Sequence, residues 1–171
     1  MIMPGVSDIT WVKLSPAVLR ALIDGDLAGA SELAGAPLSP YLVEEHWLWR
    51  IRLEQIEGDP ASADWIARAA VVDGRVVGHG GFHGPPDEGG VVEVAYSVDP
   101  AFRRRGHAKA MLRSLLERAD ADPAVTAVRA SIRPDNVGSK ATIAGFGFRK
   151  IGEQWDPEDG LEHVFLRPAA R

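Results

Sequence analysis

The sequence predicts an α+β domain built on a mixed β-sheet. Three observations carry that reading. Residues 91–98 and 125–133 read as strands on either side of one amphipathic helix, and such a crossover joins parallel strands. Residues 65–72 and 75–82 flank Asp73-Gly74, the signature of a tight antiparallel hairpin. Residues 148–155 and 161–167 form a second antiparallel pair, joined through the turn-rich run Asp156-Pro157-Glu158-Asp159-Gly160. A parallel centre with antiparallel pairs outside it makes the sheet mixed.

Composition bounds what such a domain can be. At 171 residues and 46% hydrophobic, the chain suits one compact domain, residues 1–171, with a real core. No apolar run approaches the length needed to span a bilayer, and the start, MIMPGVSDIT, lacks a leader pattern. A cytoplasmic protein without a membrane partner is expected. The chain has no cysteine, which excludes disulfides, thiolate metal sites and a cysteine acyl-enzyme. A net charge of −5 argues against nucleic acid as a partner, because that contact needs a basic surface.

The elements follow in order. Ser15-Pro16 starts a helix, with serine as N-cap and proline at the first helical position. Leu19, Leu22 and Ile23 give it an apolar face, and Gly25 ends it. Residues 29–37, rich in glycine and alanine, read as loop. Ser39-Pro40 repeats the start signal, and Leu42, His46, Trp49, Leu53 and Ile56 recur at helical spacing. Two helices are thus expected before the sheet. After the hairpin, residues 84–90 form a loop, and a short helix is expected over residues 136–144.

Residues 91–119, VVEVAYSVDPAFRRRGHAKAMLRSLLERA, organise the rest. The strand ends near Val98, because Pro100 has no N–H for a ladder. Beyond the basic turn Arg103-Arg104-Arg105-Gly106, Ala108, Met111, Leu112, Leu115, Leu116 and Ala119 line one helical face. Strand, glycine turn and helix are a device for holding phosphate. The first helical N–H groups lack internal partners, and the helix dipole adds partial positive charge at that end. Gly106 lets backbone approach closely, and Ala108 nearly so. Arg103, Arg104, Arg105 and Lys109 add full charges.

These residues carry a resemblance. Arg103-x-x-Gly106-x-Ala108 is similar to the Q/R-x-x-G-x-G/A signature of the GNAT superfamily, the acetyl-CoA-dependent N-acetyltransferases. The block from Arg133 through Asn136 to Ser139, followed by Gly145-Phe146-Gly147-Phe148, resembles that superfamily's P-x-N-x-x-S…G-F pattern. Residues 93–98, EVAYSV, look most like the branch that includes ribosomal-protein alanine and serine acetyltransferases. The resemblance runs from about residue 71 to the C-terminus. It implies the GNAT fold, in which the two central parallel strands splay at their C-terminal ends. The splay exposes backbone groups of Tyr96, Ser97 and Val98 to the pantetheine arm of coenzyme A, as an added strand would meet them. The resemblance also implies a pyrophosphate over Arg104, Arg105, Gly106, His107, Ala108 and Lys109, a pantetheine contact from Asn136, and a contact from Ser139 near the sulfur. Homodimers are common in similar proteins.

The implied activity is transfer of an acetyl group from acetyl-CoA to a primary amine, either a small molecule or a protein N-terminus. The alternative is a non-catalytic module that binds acyl-CoA. Transfer needs a neutral amine, and amine pKa values lie at about 8 to 10, so a general base is useful. Without cysteine, direct attack in a ternary complex is the expected route. Glu93 is the first candidate base, since it shares a strand face with the small residues Ala95 and Ser97. Ser139 is the second catalytic candidate, as donor to the thiolate or carbonyl; helix capping is its competing role. The chain departs from some relatives of this superfamily at two places. Ser131 stands where they carry a glutamate base, and Ile143 where they carry a tyrosine acid.

For the acceptor side, Tyr41, Glu44, Glu45, Trp47 and Trp49 form an acidic and aromatic group near the second helix, suited to a cationic amine. Trp155 and Asp156 are the counterpart from the last turn. His79 and His83, on the hairpin strand, do not suggest a metal. Residues four apart on a strand lie roughly 13 Å apart, too far for one zinc. At most one of them, His79 for preference, is expected at the acceptor.

Overall fold

The computed structural model describes residues 8–171. Among them a seven-stranded sheet runs β1-β2-β3-β4-β5-β7-β6. Its strands are β1 (Thr10–Lys13), β2 (Arg68–Val72), β3 (Arg75–Phe82), β4 (Val91–Val98), β5 (Ala127–Ile132), β6 (Arg149–Asp156) and β7 (Gly160–Pro168). The helices are α1 (Pro16–Ile23), α2 (Leu27–Ala34), α3 (Pro40–Glu44), α4 (His46–Gly58), α5 (His107–Ala121) and α6 (Val137–Ile143). Only β4 and β5 pair in parallel; the other neighbours are antiparallel. This is the mixed α+β sheet expected from the sequence. The leader reading rested partly on residues 1–7, which lie outside the described residues.

The strongest local signals became the expected elements. Asp73 and Gly74 both take positive φ, 50° and 76°, as a two-residue hairpin turn requires. Ser15 caps α1 by accepting from the Val18 N–H. Along α5, Met111, Leu112, Leu115, Leu116 and Ala119 are buried. The last four pack with Val92 and Val94 of β4, Val128 of β5 and Phe82 of β3, while Met111 packs with Ala70, Val72 and Val77 of β2 and β3. Each large side chain among them contributes roughly 2 kcal/mol on burial.

Three features of the N-terminal half differ from the expectation. Residues 29–37 are not loop, because α2 occupies Leu27–Ala34. Asp26 caps it through the Gly29 N–H, Gly35 closes it at φ 69°, and Ala30 is fully buried against the first core cluster. Capping and packing outweigh its glycine. The second expected helix is two, since the chain breaks at Glu45 (φ −84°, ψ 18°) between α3 and α4. Finally, β1 is a strand ahead of the helices, held by β2 and by the Trp11 indole donating to Ser114 on α5 at 2.8 Å. Four residues carry too little pattern to announce a strand without their partner.

Candidate active site

The parallel pair is short. β4 and β5 register through only three pairs, Val91 with Ala127, Val92 with Val128 and Glu93 with Arg129. Beyond Glu93 the strands part. On its other side β4 stays paired with β3 through Val98. One edge of residues 94–98 therefore faces the gap. Arg103 donates to the Val98 carbonyl at 3.3 Å, and the edge groups of Tyr96 remain open toward β5, while strand alternation turns those of Ser97, expected at the same edge, to His79 of β3.

Below the gap lies the N-terminus of α5. Gly106 is its N-cap at φ 80°, and no side chain caps the helix. Among the described residues, no acceptor takes the N–H groups of His107, Ala108 or Lys109. Arg103, Arg104, Arg105 and Gly106 are exposed. Arg104 also takes positive φ, 63°, which costs a non-glycine residue about 1 kcal/mol. Alternating left-handed residues turn successive N–H groups to one side of the chain. The turn is an open anion cradle with free donors and three guanidiniums, and it fits a phosphate group.

Two cavities adjoin the gap and share Ala95, Tyr96 and Asp159 as common wall. The first, of about 330 Å³, is polar and is lined by His83, Glu93, Ser131, Ser139, Gln154 and Glu162 among others. Glu93 is held from three sides. Its Oε1 accepts from Ser131 Oγ at 2.8 Å and lies 3.3 Å from Arg129 Nε, while Oε2 lies 3.1 Å from His83 Nδ1. Gln154 ties the far side, donating to Ser131 and Glu162 and accepting from Arg129 at 2.6 Å. Burial pushes the His83 imidazole below its usual pKa; Glu93 opposes that shift and Arg52 reinforces it.

The second cavity, of about 370 Å³, is mostly aromatic and apolar, with Trp47, Trp49, Phe82 and Tyr96 on its wall together with Glu45 and His79. Tyr41 stacks on His79 at 5.7 Å, and Trp49 meets the same ring edge-on at 4.9 Å. His79 Nε2 lies 3.5 Å from Glu45 Oε1, at the outer limit of a hydrogen bond, so the contact is chiefly electrostatic. His79, with Tyr41 and Trp47 behind it, holds the Glu45 carboxyl down at about 2. Burial pushes the Tyr41 phenol up to about 12, so it stays a neutral hydroxyl.

The fold thus gathers Glu93 and Ser139 on one cavity, Tyr96 at the junction, and Glu45 and His79 on the other cavity, with Tyr41 packed against its wall. Asn136 caps α6, its Oδ1 accepting from the Ser139 N–H at 3.0 Å. Glu44 is exposed at the end of α3 and lines neither cavity. Trp155 is 75% exposed, because strand alternation points Gln154 and Asp156 at the cavity instead. Both histidines of β3 and its end reach a cavity, where one at most was expected. The roles of His83, Gln154, Arg129 and Glu162 around Glu93 were missed. The shared face of Arg129 and Ser131 was the available signal. Among the described residues, no three His, Asp or Glu side chains are grouped to hold a metal, and no helix is long and apolar enough to cross a membrane.

Comparison with known proteins agrees with this layout. The profile described as the Acetyltransferase (GNAT) family matches residues 18–148. The "Uncharacterized N-acetyltransferase YjdG" of Bacillus subtilis (strain 168) is 33% identical over 74 residues, 43% of this chain; the match spans 44% of that relative. Among solved structures, Mycobacterium smegmatis RimJ in complex with CoA-disulfide superposes with a TM-score of 0.67 at 18% identity, over 96% of this chain and 83% of that one. The aminoglycoside acetyltransferase AAC(6')-Ib, in complex with paromomycin and acetyl-CoA, gives 0.65 at 18%, over 95% and 94%. At such identities the likeness is one of fold. With the family profile covering most of its length, the chain belongs to the acetyltransferase (GNAT) family.

Proposed function

We propose that the protein moves an acetyl group from acetyl-CoA to a cationic primary amine, by direct attack with both substrates bound. The observation that carries this reading is the unclaimed N-terminus of α5 beneath the parted edge of β4. In that reading the amides of His107, Ala108 and Lys109, with Arg103, Arg104, Arg105 and Gly106, take the pyrophosphate. The open groups of Tyr96 take the pantetheine amides; Val98 contributes less, since Arg103 occupies its carbonyl, and Ser97 turns its backbone to β3. Ser139 faces the cavity where the sulfur would lie, and Asn136 fixes the turn that presents it. Acetyl-CoA supplies the acetyl group as a thioester; the chain supplies orientation and a place for the amine's proton.

The amine enters between α3–α4 and the β6–β7 turn. Glu45, Glu93, Asp156 and Asp159 make that groove acidic, which favours a protonated amine on approach. The strand resemblance to ribosomal-protein acetyltransferases nominates a protein N-terminus as acceptor. The similar solved structures include RimJ, AAC(6')-Ib and the microcin C7 self-immunity acetyltransferase MccE, so we frame the acceptor by charge rather than by branch.

Calorimetric titration of acetyl-CoA into the protein and into an Arg104→Glu/Gly106→Asp double variant tests the cofactor reading. Micromolar binding lost in the variant supports it; equal affinity in both overturns it. Thiol release with a panel of amines separates an enzyme from a non-catalytic acyl-CoA module.

A further inference from the structure

We infer that His83 is the general base of the transfer and that Glu93 is its positioning residue rather than the base itself. The inference rests on the proposed amine acetylation and assigns the proton's path within it. The expectation from the strand pattern alone had given the base's role to Glu93.

Both Glu93 oxygens are committed. Oε1 takes the Ser131 hydroxyl at 2.8 Å and faces the Arg129 guanidinium at 3.3 Å, and Oε2 faces His83 Nδ1 at 3.1 Å. Each oxygen thus already has a hydroxyl, a guanidinium or an imidazole beside it. His83 shows the opposite pattern. Its backbone is pinned, with its N–H on the Glu93 carbonyl at 2.8 Å and its carbonyl accepting from Gln55 at 2.5 Å. Its Nδ1 lies 3.1 Å from Glu93 Oε2 without the alignment of a hydrogen bond, and the charge of the carboxylate favours the tautomer with the proton on Nδ1. That leaves Nε2 as the accepting nitrogen of a half-exposed ring, and no group among the described residues bonds to it. The ring lines the polar cavity beside Ala95 and Tyr96, where β4 parts from β5.

Glu93 from β4 and Arg52 from α4 act on this ring, Arg129 from β5 faces Glu93, and Asp156 at the end of β6, Asp159 in the turn and Glu162 from β7 line the same cavity. The ring is half exposed, and its partial desolvation together with Arg52 favours the neutral form that can accept a proton. In the step, the amine nitrogen forms its bond to the acetyl carbon and the carbon–sulfur bond breaks. The approaching ammonium first gives one proton to His83 Nε2, which passes it to solvent and leaves the neutral nucleophile. The second proton, lost from nitrogen as the bond forms, passes through Nε2 to the departing thiolate, so charge and atoms balance.

Long-range proton–nitrogen NMR on protein carrying 15N-histidine, from pH 5 to 9, reads the tautomer directly; the His83→Gln variant assigns the signal. A neutral Nδ1–H ring at pH 7.5, titrating below the usual histidine range, is expected. Glu93→Gln should weaken the tautomer bias and lower the titration further, moving the acid limb of kcat/KM to lower pH. With kanamycin, spermidine or an alanine-led tripeptide as acceptor, His83→Gln should lose about 100-fold or more in turnover while acetyl-CoA affinity stays unchanged. An Nε2–H tautomer, a charged ring at pH 8, or wild-type turnover in His83→Gln overturns the assignment. Failure of all three amines with wild-type protein counts instead against the acceptor reading, and the tautomer still decides the base.

Discussion

The Tyr41 hydroxyl lies 2.5 Å from Ser97 Oγ, joining α3 to the exposed half of β4 across 56 residues of chain. The phenol is buried and neutral, so it can donate, and Ser97 lies next to Tyr96 on the stretch of β4 beyond its pairing with β5. Tyr41→Phe keeps the ring against His79 but strands the Ser97 hydroxyl. A loss of about 1–2 kcal/mol is expected. Urea denaturation measures it; an unchanged midpoint and slope would show that the pair contributes nothing.

Lys109 and Arg105 flank the α5 cradle as exposed cations. Each of Arg105→Ala and Lys109→Ala should weaken acetyl-CoA binding about 3- to 10-fold, with the contribution shrinking as salt rises. Calorimetry at two ionic strengths checks this. Salt-independent affinity would place the diphosphate elsewhere.

Glu45 gives the protein a pH signature. Its carboxyl is held at about 2 against an ordinary 4.5, first by His79 and then, against the opposing effect of burial, by Tyr41 and Trp47. A depressed folded-state pKa stabilises the fold above the unfolded value and loses that stabilisation as pH falls through the folded one. The contribution should therefore be complete above about pH 5 and gone near pH 2. Solvent screening reduces it to about 1–2 kcal/mol. Comparing wild type with Glu45→Gln across pH 2 to 7 tests it: the two stabilities should converge toward pH 2.

Asp120 and Arg167 form a paired contact at 2.8 and 3.0 Å, both side chains largely buried, and Asp120 also accepts from the Ala170 N–H. Arg167 additionally donates to the Phe146 carbonyl at 2.9 Å, so it ties α5 to the segment after α6. Asp120→Asn should cost about 2–4 kcal/mol, because it leaves a guanidinium without its counter-charge. Acetyl-CoA affinity should hold, since the pair lies at the other end of α5 from Gly106. Thermal denaturation and calorimetry on the same preparation separate the two effects.

The parts of the candidate site that were legible in the sequence are those fixed by short-range rules. Gly106 allowed close backbone approach, Pro100 could not continue a strand, and the α5 stripe had a 3.6-residue period. The crossover implied that β4 and β5 run parallel, and their splay was implied by the family resemblance alone. What was not legible depended on partners far along the chain. His83 meets Glu93 through a hairpin return whose turn length no periodicity encodes. Glu45 reaches the aromatic cavity only because the helix breaks at that residue, and the helical spacing runs straight through the break. Trp155 was nominated as an aromatic beside a turn, and one step of strand alternation turned it outward.

By itself, then, the sequence determined the strand, glycine turn and helix, because backbone conformation and apolar period are properties of neighbours a few residues apart. Tertiary structure alone decided that a glycine-rich stretch becomes α2, that Thr10–Lys13 becomes a strand, and that a serine, an arginine and a histidine from separate segments close around one carboxylate. The physical reason is common to all three. Each is stabilised by groups that the chain brings together only after it has folded back on itself.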